Sequence, residues 1–267
     1  MPLFPFDLNI LVTSLAAAFV PFFLLWLLSV RLKDASIVDI YWGPGFVAIG
    51  GAALAAGIGG SPGVSILFAC VALWALRLAA HIGWRKLGEP HEDPRYAAMR
   101  RKAGDAFARQ SLVWVFGLQA VLQWIVALPV ISALAGGTGV AALPFNAGLA
   151  AFTAGLAVEA VGDWQLMRFK ASRPGPDAVM DAGLWAWTRH PNYFGEAVLW
   201  WGLFLMSTAL GAPWWMVFSP ALMTFLLLRV SGVPILEHGL KKRKPAYADY
   251  ARRTSAFVPW PPKRRGA

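Results

Sequence analysis

The residues with the most chemistry in the shortest span are Arg189, His190, Asn192, Tyr193 and Glu196, gathered around Pro191 within Thr188-Arg189-His190-Pro191-Asn192-Tyr193-Phe194-Gly195-Glu196. Pro191 suits the first position of a helix, whose free amide groups attract anions. Arg173 and Arg189 are guanidinium groups able to grip phosphates bidentately, and Asn and Glu side chains hydrogen-bond an amide or a ribose. This is chemistry for a nucleotide-like cofactor. A belt of interfacial Arg, Tyr and Trp side chains explains one Arg and the Trp residues. It does not explain five different hydrogen-bonding side chains in eight residues.

A second set of ionisable residues lies inside apolar runs: Asp39, Arg77, His81, Glu159, Asp163 and Glu196. A charge at the centre of a bilayer costs roughly 2.5–3.5 kcal/mol on insertion scales, so each requires a reason. Asp39, with Tyr41 and His81, is a candidate set for polarising a substrate carbonyl. The structural alternative is an Asp39–Arg77 pair joining two helices. Glu159 and Asp163 sit four residues apart on one helix face, where like charges repel unless a ligand or cation intervenes.

The elements that must position these groups are apolar helices. Of 267 residues, 58% are hydrophobic and 14% are charged, too little charge to clothe a soluble domain of this length. Seven spans are expected, at Leu8–Val30, Ile37–Ile58, Val64–Trp84, Leu112–Leu134, Pro144–Met167, Phe194–Leu210 and Pro213–Val230, broken by Gly and Pro. Lys and Arg fall in the stretches after the first, third, fifth and seventh spans, and the intervening stretches have none. The positive-inside rule then puts the N-terminus outside and the C-terminus in the cytoplasm. The expected fold is all-α, a polytopic membrane bundle in the bacterial inner membrane. Residues 1–135 form its substrate half and residues 144–267 its cofactor half. The first apolar run is expected to be a retained helix, because Met1 to Asp7 has no basic leader.

The net charge of +10 sits in the loops, so anionic headgroups are the expected partner rather than nucleic acid. The single cysteine, Cys70, excludes an intrachain disulfide and a cysteine zinc cluster, and no metal site is expected. The tail reads as one or two short amphipathic helices ending at Pro259.

From about Glu159 to Pro259 the chain resembles the steroid 5-alpha-reductase superfamily, notably its bacterial branch. Weaker likeness lies in Asp39-Ile40-Tyr41-Trp42-Gly43 and His81 to Arg85. The resemblance implies a seven-helix bundle that holds NADPH in its cytoplasmic half and transfers a hydride to the β-carbon of a lipophilic enone. Asn192 and Glu196 match the family's cofactor motif, Arg173 its Arg-Pro-Gly phosphate contact, Asp163 the carboxylate that ends the fifth helix, Tyr250 and Arg253 its tail pattern, and Arg229 the Arg that closes the seventh helix. The expected cofactor set is completed by Arg85, Arg189, His190, Tyr193, Glu237 and His238. The Gln-Glu pair and Tyr that hold the carbonyl in the steroid enzymes are missing. Asp39 stands in for the Glu, and Tyr41 or His81 for the Tyr. The Arg-His-Pro-Asn-Tyr turn is also similar to that of the isoprenylcysteine carboxyl methyltransferases, which use S-adenosylmethionine. The Arg-Pro-Gly stretch, Asn192 and Gly195-Glu196 favour the reductase. A transporter or scaffold ranks third, because the chain has no internal repeat.

Overall fold

The computed structural model describes residues 8–57, 60–89, 91–137, 141–172, 175, 177–230, 237 and 245–263. Ten α-helices carry the description: α1 (Leu8–Leu32), α2 (Ile37–Ala56), α3 (Pro62–Gly88), α4 (Pro94–Ala103), α5 (Phe107–Ser111), α6 (Leu118–Gly136), α7 (Ala142–Ala171), α8 (Pro191–Ala209), α9 (Phe218–Phe225) and α10 (Ala246–Arg253). A π-helical turn, Leu112–Gly117, joins α5 to α6, and another, Leu226–Val230, follows α9. No strand occurs among the described residues. One isolated bridge joins Thr188 to Ser255.

Among the described residues five helical runs are long and apolar enough to cross a membrane: α1, α2, α3, the continuous run Pro94–Gly136, and α7. The expected sixth and seventh spans are seen as α8 and the run Trp214–Val230, which fall outside that set. Exposed side chains on α1 are Val12, Phe19, Val20, Phe23 and Leu24, a surface that suits lipid contact. Helix ends follow local chemistry. Ser61 Oγ accepts from the Val64 amide, with Pro62 opening α3. Asp93 Oδ1 accepts from the Arg95 amide at 2.9 Å and Pro94 opens α4, the usual cap-then-proline start. The basic stretch after the third expected span is largely helical, because α3 runs on to Gly88 and α4 follows.

The chain divides into two compact units, residues 1–145 with 206–219, and residues 146–205 with 220–267. In the first, α2 packs against α1, α3 and α6. Phe46 sits edge-on between Trp42 and Trp74, at centroid distances of 5.6 and 5.5 Å. A Cβ on Gly43 would stand 2.7 Å from the Ala75 carbonyl oxygen, so α2 and α3 touch backbone to backbone there. In the second unit α7 and α8 make a closer seam. A Cβ on Gly195 would lie 2.5 Å from the Glu159 nitrogen, and one on Gly202 2.5 Å from that of Phe152. Small residues let helices approach this far without a hydrophobic drive. The seam brings Glu159, Asp163 and Glu196 onto neighbouring turns of two touching helices.

Candidate functional site

In the first unit the polar centre is Asp39, one turn into α2. Its Oδ2 accepts from Arg95 Nη2 at 2.7 Å and its Oδ1 from the Tyr96 hydroxyl at 2.7 Å. Tyr96 is buried, and Gln119 Nε2 approaches its oxygen at 3.5 Å. Arg95 is itself held by Asp93 through Nε at 2.9 Å. Asp39 is thus paired with Arg95 and not, as in the structural alternative, with Arg77, because α4 turns Arg95 and Tyr96 onto α2. Tyr41 packs edge-on against Phe22, 5.4 Å between centroids, and His81 lies half-buried on α3. Arg85 is exposed at the end of α3, and its charge contributes to lowering the Asp93 pKa.

Beside this centre, the turn between α1 and α2 is clamped by charge. Lys86 Nζ reaches Asp34 at 2.7 Å. Glu92 accepts from the Ala35 amide at 2.8 Å and from both arms of Arg100 at 2.8 and 2.9 Å. Burial pushes the carboxyls of Asp34, Glu92 and Asp93 up, but their bonds to Lys86 and Ser36, to Arg100 and Ala35, and to Arg95 outweigh it and hold all three below the usual range.

In the second unit the residues before α8 do two jobs. One set fastens the tail. Arg189 Nε donates to Glu237 Oε1 at 2.7 Å, and its Nη1 donates to the carbonyls of Ala251 and Thr254 at 2.7 and 2.8 Å. His190, 3% exposed, stacks on Tyr193 and sets Nε2 3.3 Å from the same Glu237 oxygen. Tyr250 donates to the Trp185 carbonyl at 2.6 Å, Thr188 to that of Phe257 at 2.8 Å, and Arg253 pairs with Asp181. Burial, with the Glu237 charge behind it, pushes Tyr247 up to about 12, and burial raises Tyr250. As folded, the guanidinium groups of Arg189 and Arg253 serve the tail, rather than standing open to a phosphate.

The other set faces α7. Asn192 Nδ2 donates to Asp163 Oδ1 at 3.0 Å. Its Oδ1 is buried and accepts no hydrogen bond among the described residues. A buried acceptor of this kind calls for a donor. Glu159, Asp163 and Glu196 are buried at 2%, 6% and 8% exposure. Arg229 is exposed in the turn after α9, and Arg168 lies over the Trp164 ring. Arg173 and His238 lie outside the described residues. No group of three His, Cys, Asp or Glu side chains that could hold a metal ion occurs among the described residues.

The sequence reading missed Arg95, Tyr96 and Asp181. Asp93-Pro94 was the available signal for α4, being a capping residue followed by proline, but nothing local linked that helix to Asp39.

No curated protein and no solved structure matches this chain. Residues 25–254 match the family described as "Protein of unknown function (DUF1295)", and since that match spans most of the chain, the protein belongs to this family.

Proposed function

We propose that the protein is a membrane reductase of the steroid 5-alpha-reductase type, which uses NADPH to reduce the double bond of a lipophilic enone. The observation that carries the reading is Asn192. Its amide nitrogen is fixed by Asp163, and its buried oxygen finds no donor among the described residues. A carboxamide such as that of nicotinamide supplies N–H donors for such an acceptor, so the residues present fit the group. NADPH when bound supplies the hydride. Asn192 and Asp163 orient the carboxamide, and Glu196 on the same helix offers a further acceptor. Arg229 and Arg168 are among the exposed cations of this unit and are the ones proposed for phosphate, while Arg189, Tyr250 and Arg253 keep the tail folded. In the first unit we assign the ketone-polarising role to Tyr96, in place of Tyr41 or His81. Its hydroxyl turns its one proton from Asp39 to the substrate oxygen, and Arg95 keeps Asp39 compensated meanwhile.

The proposal includes seven spans, an outside N-terminus, a cytoplasmic C-terminus and the bacterial inner membrane. Its support is the restriction of Lys and Arg to alternate loops. Exposed Trp84, Trp114 and Trp164 flank those basic stretches, as interfacial Trp residues do.

Thermal unfolding of the detergent-purified protein with NADPH, NADH or S-adenosylmethionine tests the cofactor. A ligand at about 100 times its dissociation constant adds roughly 2.7 kcal/mol. Stabilisation by NADPH that falls to about half in Asn192→Ala is expected. Stabilisation by S-adenosylmethionine alone would sink the reductase and favour a methyltransferase, and silence from all three would remove both.

A further inference from the structure

The π-helical turn Leu112–Gly117 lines two recesses that the proposed chemistry does not use. On one side Arg109, Gln110, Val113 and Trp114 border a shallow, open recess of about 250 Å³, apolar over most of its wall with the Arg109 and Gln110 side chains at its edge. On the other, Phe19, Phe23, Leu112 and Phe116 border an apolar groove of about 240 Å³. Arg109 and Gln110 are exposed, and neither makes a hydrogen bond or ion pair among the described residues. Trp114 is 66% exposed.

One hydrogen bond relates α1 to this stretch. Trp26 Nε1 donates to the Ala108 carbonyl at 2.8 Å, which pins α1 to the end of α5. From that level Phe23 and Phe19 lie about one and two turns back along α1. Phe116 lies roughly 10 Å further along the run that begins at Arg109, at 1.5 Å per residue. Polar donors thus sit at the level of Trp26, and apolar walls continue away from it along two apolar helices. Arg101, Lys102 and the carboxylate of Asp105 are exposed in the preceding turns of the chain.

We propose that this turn binds an anionic phospholipid, with the phosphate on Arg109 and Gln110 and one acyl chain in the Phe19–Phe116 groove. A guanidinium with an amide beside it suits a phosphodiester. An indole at the same level suits the headgroup boundary. The groove is lined by apolar side chains, and Leu112 and Phe116 follow Arg109 at helical spacing, so groove and charge share one stretch of chain. The inference rests on the membrane reading of these helices and is independent of any hydride transfer.

The test uses the full chain in phosphatidylcholine nanodiscs carrying a small fraction of phosphatidylglycerol brominated on its acyl chains. Quenching of Trp114 is read as the difference from Trp114→Phe. Brominated phosphatidylglycerol should quench well beyond an equal fraction of brominated phosphatidylcholine. The double variant Arg109→Ala, Gln110→Ala should cut that preference at least about fivefold, with the helical circular dichroism unchanged. Equal quenching by the two lipids, or a preference that survives the double variant, overturns the proposal. Full displacement by inorganic phosphate overturns it in favour of a free-anion recess. Shielding of Trp114 in a dimer gives the groove to a second copy. Release of the chain from membranes by alkaline carbonate would refute the membrane reading itself, separately from the lipid site.

Discussion

The Asp39 cluster and the cluster before α8 differ in what they leave over. Around Asp39 each carboxylate oxygen has a partner, and both partners come from α4. Before α8 the same kinds of side chain split into two populations. Arg189 has its Nε and Nη1 donors taken by Glu237 and two backbone carbonyls, whereas Asn192 keeps a buried acceptor unused. Residue type does not separate a fastening from a binding group. Remaining hydrogen-bond capacity does. On that measure Asn192 is the group of the second cluster with capacity to spare, whereas around Asp39 none is left over, so the role proposed for Tyr96 requires its proton to leave Asp39.

The largest expected effect is on the fastening. Arg189→Ala leaves Glu237 buried without its guanidinium and strips two carbonyls of their donor, at a cost of about 3–5 kcal/mol. Chemical denaturation should register it as a loss of stability, and amide exchange should place the loosening at α10. Arg189→Lys should recover only part of this, because an ammonium cannot reproduce the fork that reaches Glu237 and the two carbonyls together. Full stability in Arg189→Ala would return Arg189 to the phosphate-binding role.

Tyr96→Phe comes next. It should lower enone turnover by about 100-fold, while stability falls by about 1 kcal/mol and NADPH affinity holds. A fall in stability with turnover unchanged would make the Tyr96–Asp39 bond a helix fastening like Arg189. Asn192→Ala should weaken NADPH binding by about tenfold, a single net hydrogen bond at the upper end, with little change in the unfolding of the ligand-free protein. The two variants separate the clusters: one moves turnover, the other moves affinity.

Much of the fold was legible because hydropathy is a local property. The apolar stretches of α1, α2, α3, α6 and α7 announce themselves, and Ser61-Pro62 and Gly211 mark real ends, the latter with φ at +104°. What escaped was non-local. Asp39 and Arg77 both lie in apolar runs, so their pairing is the structural alternative to a catalytic role, yet the partner that Asp39 takes lies on α4, a short basic helix between them and α6 in the chain. Arg189 was read with Arg173 as a phosphate clamp because two of its acceptors are the backbone carbonyls of Ala251 and Thr254, and a carbonyl leaves no mark in sequence. Gly195 and Gly202 were available as a small-residue seam, since their spacing keeps them on one face of α8, but nothing in the chain names their partners on α7.

The smallest effect sharpens the comparison from both ends of the pH scale. In the first unit Asp34, Glu92 and Asp93 have folded pKa values held below those of the unfolded chain, which lie near 4. Between the two values the unfolded chain binds more protons, so stability falls as pH falls through the folded values. In the second unit Tyr247 is raised, to about 12, and Tyr250 is raised as well. There the unfolded chain loses its protons first, near pH 10, so the stabilisation is complete below that and is lost as pH rises toward the folded values. Acid should therefore loosen the α1–α2 turn and α4 before the tail, and alkali should loosen α10 first. Limited proteolysis at pH 3.5 and pH 11, with cut sites mapped by mass spectrometry, reads the order. Glu92→Gln should flatten the acid limb by about 1 kcal/mol, and Tyr247→Phe should flatten the alkaline limb. If α10 opened first at both extremes, the tail would be the weakest part of the molecule at any pH, and its fastening would owe nothing to the buried phenols.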